Sequence, residues 1–377
     1  MVTLDFSSAF DCIRIDQLKE TLENEVGFVG SALDLLKDYF TGRFYAIEIN
    51  GVQSQKQVLE IDTGQGTTLS CKGFSLATNQ LSLIPRKHEI ACFQYCDDLC
   101  LILTFDPDDN IEKIKKQLLD CLNEVLEYCI SHSLALNCDK THAMVIGKTN
   151  IIENFKNIEM DFDGEQIKFA KKIELLGVTI TEDLELDKFV NETVKKCYGR
   201  LAVLRKLKIS SFELRKNLSV TTVISCLDYG NSLLAGAAKK YVEKYQKVIR
   251  SVIRYIFGLK RFEPTTQHRQ NLHLLDATQR SKYKVLLLTW KAIHLKQPKI
   301  LLDILPPRQV HENLRSASDF NKIGIPQCPP TRKTKTCFLY TSQEFNELPE
   351  RIRNIENEKA FKKALKTHIF FFERSRL

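Results

Sequence analysis

In FQYCDDLCLI, residues 93–102, two adjacent carboxylates, Asp97 and Asp98, stand between apolar runs that read as two short buried strands joined by a tight turn. An unpaired charge is costly to bury and two like charges side by side repel, so a positive partner is expected there. A third carboxylate, Asp5, lies near the end of the short run VTLDF. A strand ending in an acid, laid beside a hairpin whose turn bears two, gathers three carboxylates within a few ångströms, because neighbouring strands lie roughly 4.8 Å apart. Hard oxygen donors of this kind suit Mg²⁺ or Mn²⁺. Two such ions roughly 3.5–4 Å apart can clamp the attacking and leaving oxygens of a phosphoryl displacement. On this reading the positive partner is a metal; on the plainer one the acids belong to a solvated turn.

The elements that must position these groups follow from periodicity. Residues 2–6 read as a strand, and IDQLKETLENEV and SALDLLKDYF as two helices. FYAIEING followed by QKQVLEID alternates like a hairpin turning at Asn50-Gly51. TTLSCKGFSLATNQLSLI reads as a helix, IACFQY and LCLILTF as the strands flanking the acidic pair, and IEKIKKQLLDCLNEVLEYCISH as a long amphipathic helix. HAMVIGK and KKIELLGVTI are further strands, with a small hairpin at DFDGEQI between them. From Asp187 onward the pattern is helical and rich in Lys and Arg, then Pro-rich and basic from about 305, and it closes on the amphipathic EKAFKKALKTHIFFF. The expectation is an α+β domain followed by basic helices.

Composition narrows the class. At 377 residues the chain can bury a sizeable core. Residues 1–110 carry 8 Lys and Arg against 17 Asp and Glu, which leaves 47 against 30 in the rest. An acidic block followed by a basic arm suits a metal site attached to a polyanion-binding surface, or else a merely solvated face. Twelve cysteines scattered through apolar runs, without an export signal, point to reduced thiols and no disulfide partner. The spacing of Cys92, Cys96 and Cys100 suits a tetrahedral zinc site poorly. No stretch of 18 apolar residues occurs, so no membrane span is expected and the protein reads as intracellular.

The motifs also carry a family likeness. VTLDFSSAFD (2–11) resembles motif A of the reverse transcriptases of non-LTR retrotransposons (LINEs), and TGQGTTLSCKGFSLATNQL (63–81) resembles motif B. QYCDD (94–98) is similar to the Tyr-x-Asp-Asp signature of motif C, HSLALNCDKT (132–141) to motif D and KIELLGVTI (172–180) to motif E. SCLDYGNSLLAG, FNELPERIRN and FKKALKTHIF resemble the thumb and C-terminal region of the chicken-repeat and jockey-like branches.

The resemblance implies a right-hand polymerase palm, an antiparallel sheet with helices, over 1–182. A basic helical thumb and C-terminal helical region would follow over 183–304, then a Pro-rich basic linker and terminal helix over 305–377. It implies that Asp5 and Asp97 hold two Mg²⁺ or Mn²⁺ ions, with Asp98 beside them and the Phe6 carbonyl lent to one. Phe10 would be the gate crowding the sugar 2′ position, or else a plain core aromatic. Gln65 and Gly66 would lie under the incoming nucleotide and template, and Tyr95 would pack near the primer end. Lys140 would face the triphosphate, or else be a surface lysine. The implied partners are an RNA template, a DNA primer and deoxynucleoside triphosphates, and the implied setting is a ribonucleoprotein of nucleus or cytoplasm. The alternative is a catalytically dead remnant that still binds nucleic acid.

The chain departs from the family pattern in places. It opens almost on motif A, so the fingers and endonuclease found upstream in the family are expected to be absent. Gly64 stands where proline is usual, and Lys72 and Gly73 replace apolar residues of a packed helix. These departures point to a truncated or decayed copy. The isolated chain is therefore expected to extend primers weakly or not at all, and robust Asp97-dependent synthesis on poly(rA)/oligo(dT) would overturn that expectation.

Overall fold

Val2–Leu4 (β1) lies at the middle of a five-stranded sheet with Ala91–Tyr95 (β2), Asp98–Ile102 (β3), His142–Ala143 (β4) and Lys168–Phe169 (β5), in the order β5-β4-β1-β3-β2. All neighbours are antiparallel except β4 and β5, which are parallel. The computed structural model describes every residue except 65, 66, 68, 138, 139, 156, 157, 159, 306–321, 326–337 and 373–377. The chain divides into two units, Met1–Glu185 and Leu186–Leu377. The first is mixed helix and sheet; the second, among its described residues, is helical.

Burial along the strands explains their order. Leu99, Cys100 and Leu101 of β3 are buried in succession, as befits a strand paired on both sides. β2 differs from the expected buried strand: Ala91, Phe93 and Tyr95 are exposed in alternation, with Phe93 39% and Tyr95 64% accessible. It is the sheet edge, where one face meets water.

Helices Ile15–Glu20 (α1), Gly30–Phe40 (α2), Ser70–Ala77 (α3) and Ile111–Ser131 (α4) belong to the same unit. α4 starts where the Asn110 side chain accepts the Glu112 amide. It buries Cys121, Leu122, Val125 and Cys129 in one core with Val2, Leu4, Leu99 and Leu101.

Several expected elements are shorter than their patterns. The motif B helix breaks at Thr78 into α3 and the short turns Asn79–Ser82 and Ile84–Lys87. HAMVIGK contributes only β4. KKIELLGVTI is a separate hairpin, Lys172–Leu175 with Val178–Thr181, folding back at Leu176-Gly177 where both φ are positive. The hairpins turning at Asn50-Gly51 and Asp163-Gly164 form as their turn residues indicate.

In the second unit, Asp187–Lys206 (α5) and Lys239–Phe257 (α6) are tied by Asp187, which pairs with Lys240 at 2.7 Å and accepts the Tyr241 hydroxyl at 2.6 Å. α6 turns Tyr245, Val248, Ile249, Val252, Ile253 and Ile256 inward at helical spacing. Ala277–Leu295 (α7) opens on a capping box between Asp276 and Gln279. Against it lie Phe338–Glu347 (α8) and Glu358–Phe372 (α9). The fully buried Trp290 stacks on Phe361 at 5.0 Å and donates its indole N–H to the Ile355 carbonyl at 2.7 Å. Residues 338–372, at the far end of the stretch read as linker and terminal helix, are thus part of this core, because Phe345, Leu365 and Ile369 have nowhere drier to go. Phe361→Ala should cost the helical unit about 3–5 kcal/mol, read as a lowered denaturant midpoint by circular dichroism; an unchanged midpoint would contradict this packing.

Candidate active site

The register of the central sheet decides how the carboxylates meet. Thr3 faces Cys100 and Leu4 faces Leu99, so the next step along β1 sets Asp5 opposite Asp98, on the same face of the sheet. Asp98 in turn closes the hairpin opposite Tyr95. Cys96 and Asp97 are left as the two central residues of the turn. Cys96 has φ +52°, the left-handed value that a type II′ turn demands of its first central residue and that glycine usually supplies. A side chain held there costs about 1–2 kcal/mol.

The turn is held from the side. The Gln94 amide donates to the Thr78 hydroxyl at 2.7 Å and to the Cys96 carbonyl at 3.2 Å, linking the hairpin to the end of α3. Burial, the neighbouring Cys71 thiol, and the charges of Asp97 and Asp98 push the Cys96 thiol up to about 11. Neither Gln94 nor Cys71 was singled out by motif reading; an amide beside the turn acids is the sequence signal that marks Gln94.

The other two acids act on Asp98. Partial burial, then Asp97, then Asp5 raise the Asp98 pKa above the ordinary aspartate value. The positive group that answers them is Lys140, whose ammonium lies 2.9 Å from Asp5 Oδ2. The Asp5 ion pair, with a smaller contribution from Asp97, holds that ammonium above the usual lysine range. Asp5 Oδ2 is buried and accepts no hydrogen bond of good geometry, so Lys140 serves it as a counter-charge and not as a directed donor. The Lys140 loop is fixed by two amide bonds, Asn137 N–H to the Asp5 carbonyl at 2.8 Å and Lys140 N–H to the Asn137 carbonyl at 3.2 Å.

Phe6 pairs with Leu136 and is buried. Because Asn137 donates to Asp5, ladder alternation makes Phe6–Leu136 a non-hydrogen-bonded pair, which turns the Phe6 carbonyl away from that strand. Phe10 is half-buried with its ring 5.4 Å from that of Phe74 on α3, the packing of a core aromatic with one side left over. Gln65 and Gly66 lie outside the described residues. Arg43 pairs with Asp62 at 3.4 Å and donates to its carbonyl at 3.2 Å.

The departures in motif B have structural counterparts. Gly64 has φ +83°, which proline cannot adopt. At buried Gly73 a Cβ would stand 3.0 Å from the Phe40 ring, so the ring of α2 occupies the volume an apolar side chain would have filled. Lys72, the neighbour of Gly73 on α3, is exposed to solvent. The apolar residue read as missing from the packed helix is therefore supplied by Phe40.

Among the described residues no three His, Cys, Asp or Glu side chains converge on one cation position. Mg²⁺ does not require that: it keeps several waters and is bound through one or two carboxylates plus substrate phosphates. Mutually repelling hard oxygens, one of them buried with only a lysine opposite, are donors of the right chemistry. The described cysteines are free thiols, and no described helix is long and apolar enough to cross a membrane.

Residues 1–180 match the family described as "Reverse transcriptase (RNA-dependent DNA polymerase)". A curated relative, the "Probable RNA-directed DNA polymerase from transposon BS" of Drosophila melanogaster, is 24% identical over 290 residues, 73% of this chain and 31% of the relative. The chain thus spans under a third of that relative's length.

The raised Asp98 pKa has a definite sign. Its contribution is absent below about pH 4, where the acid is protonated in both folded and unfolded states; stability is then lost as pH rises through the folded value. Asp98→Asn should raise the melting temperature at neutral pH, with the gain vanishing at low pH. Millimolar Mg²⁺ should stabilise the parent more than the variant. Equal responses to Mg²⁺ would disconnect Asp98 from any cation site.

Proposed function

From the match of residues 1–180 to the reverse transcriptase family we propose that this chain is the RNA-directed DNA polymerase core of a non-LTR retrotransposon. Its reaction is attack of a primer 3′-hydroxyl on the α-phosphorus of a deoxynucleoside triphosphate, templated by RNA. The observation that carries the reading is the register that sets Asp5 opposite Asp98, with Asp97 in the adjoining turn.

Asp5 and Asp97 are the residues that would hold Mg²⁺ or Mn²⁺, two ions in all, with Asp98 beside them and the Phe6 carbonyl available. When bound, the ions supply charge neutralisation at the reacting phosphate. The protein's own groups position the reaction. The half-exposed ring of Phe10, held by Phe74, crowds the sugar 2′ position, and Tyr95 offers an exposed ring beside Asp98 for the primer end. Gln65 and Gly66 receive the nucleotide and template. Lys140 is kept protonated by its carboxylate partner and so faces the triphosphate as a cation able to donate to the leaving pyrophosphate. In this reading 1–182 is the palm, and the basic helices after it are the thumb that grips the template and primer through phosphates. The setting is an intracellular ribonucleoprotein.

A second reading, a nucleic-acid-binding remnant without catalysis, draws on the Lys140–Asp5 pair, since a lysine already answers the acid that a metal would need. Single-nucleotide incorporation with Mn²⁺ separates the two. The polymerase reading expects weak incorporation that falls by at least about 100-fold in Asp97→Asn, the scale on which charge-stabilising groups act, with Phe10→Ala admitting ribonucleotides. Complete absence of incorporation alongside undetectable Mn²⁺ binding would favour the remnant, and incorporation that survives Asp97→Asn would remove Asp97 from the proposed site.

A further inference from the structure

The second unit holds a cleft of about 760 Å³ whose lining is basic throughout its charged part: Arg205, Lys208, Arg215, Arg254 and Arg261, with Tyr255 beside them and no acidic residue. Elsewhere in this unit several cations are paired, as Lys240 with Asp187, Arg250 with Glu243 and Arg280 with Asp228. Among the described residues none of the five cleft cations is paired with a carboxylate. Arg254 reaches only the Glu263 carbonyl, at 3.3 Å. The Nε groups of Arg215 and Arg254 are buried and have no acceptor, a state that costs free energy until something fills it.

The cleft lies where α5 and α6 end, so two helix C-termini offset part of the charge. Each contributes roughly half a negative charge, far short of five cations. An anion is the missing component. Beside it Phe262 is 89% exposed, with the Arg261 guanidinium 5.6 Å from its ring centre. An aromatic ring left in water next to a basic cleft is the pairing used to bind single strands, backbone in the groove and base on the ring.

We infer that this cleft binds a backbone phosphate of single-stranded nucleic acid while Phe262 stacks the adjoining unpaired base. The inference rests on the polymerase reading only in choosing nucleic acid as the source of the phosphate. Stacking accepts any base, so sequence preference is weak, and a duplex, whose bases are already stacked, cannot use Phe262.

The test is fluorescence anisotropy of the full chain with labelled oligo(dT), a single strand of mixed sequence, and a duplex of equal length, across a salt series. The exposed residues are replaced together, Arg205→Gln, Lys208→Gln and Arg261→Gln, with circular dichroism confirming the fold. Single-strand affinity should fall at least about tenfold, and the salt dependence should become shallower by roughly 0.7 for each phosphate that is no longer neutralised. Phe262→Ala should weaken single-strand binding by roughly 5- to 100-fold with the salt slope retained and duplex binding unmoved, and Phe262→Trp should restore it. Unchanged affinity and slope in the triple variant would overturn the site. So would equal loss of duplex and single-strand binding in Phe262→Ala, or a cleft that takes inorganic pyrophosphate while oligonucleotide affinity ignores the triple variant. Asp97→Asn should bind as the parent does, so that loss of polymerisation and loss of this site are read separately.

Discussion

Repulsion among carboxylates is the constraint around which the first unit is arranged. Partial burial and the charges of Asp97 and Asp5 raise the cost of ionising Asp98, yet the sheet register keeps Asp98 beside them. The register survives because it is set by the apolar side chains: Val2, Leu4, Leu99 and Leu101 share one core with α4, and a one-residue slip would send every one of them to the wrong face. Burial of hydrocarbon thus supports an unfavourable charge arrangement, a division common at sites where strain serves chemistry.

The same logic explains smaller features of the turn. Cys96 takes a left-handed backbone that glycine would adopt more easily, and Gln94 ties that turn to Thr78. A tight two-residue connection keeps Asp97 next to Asp98 at the hairpin end. Lys140 then enters as the cation beside Asp5, with the Asn137 amide donating to the Asp5 carbonyl. It supplies partial compensation without closing the site, since a solvated ammonium is readily displaced by a stronger charge.

The helical unit treats charge in the opposite way. Several of its cations sit beside acids, and its core includes an aromatic stack around Trp290 with α8 and α9 against it. Against that background the unpaired basic cleft at the ends of α5 and α6 stands out as a surface left incomplete by the chain itself.

Local chemistry written in the residues made much of this legible: turns at Asn50-Gly51 and Asp163-Gly164, the amphipathic period of α4 and α6, the acidic pair between two apolar strands, and the spacing of the motifs. These depend on a few neighbouring residues, so the sequence by itself determines them. Tertiary structure alone decided the rest. Nothing local distinguishes β2 as an exposed edge, because edge or centre depends on which strand pairs beside it. Gly73 read as a defect until Phe40, 33 positions earlier, was found against it. The same holds for Lys140 as the partner of Asp5 and for five cations from three helices and two loops meeting in one cleft: such juxtapositions are set by long-range packing, and a linear pattern carries no record of distance in space.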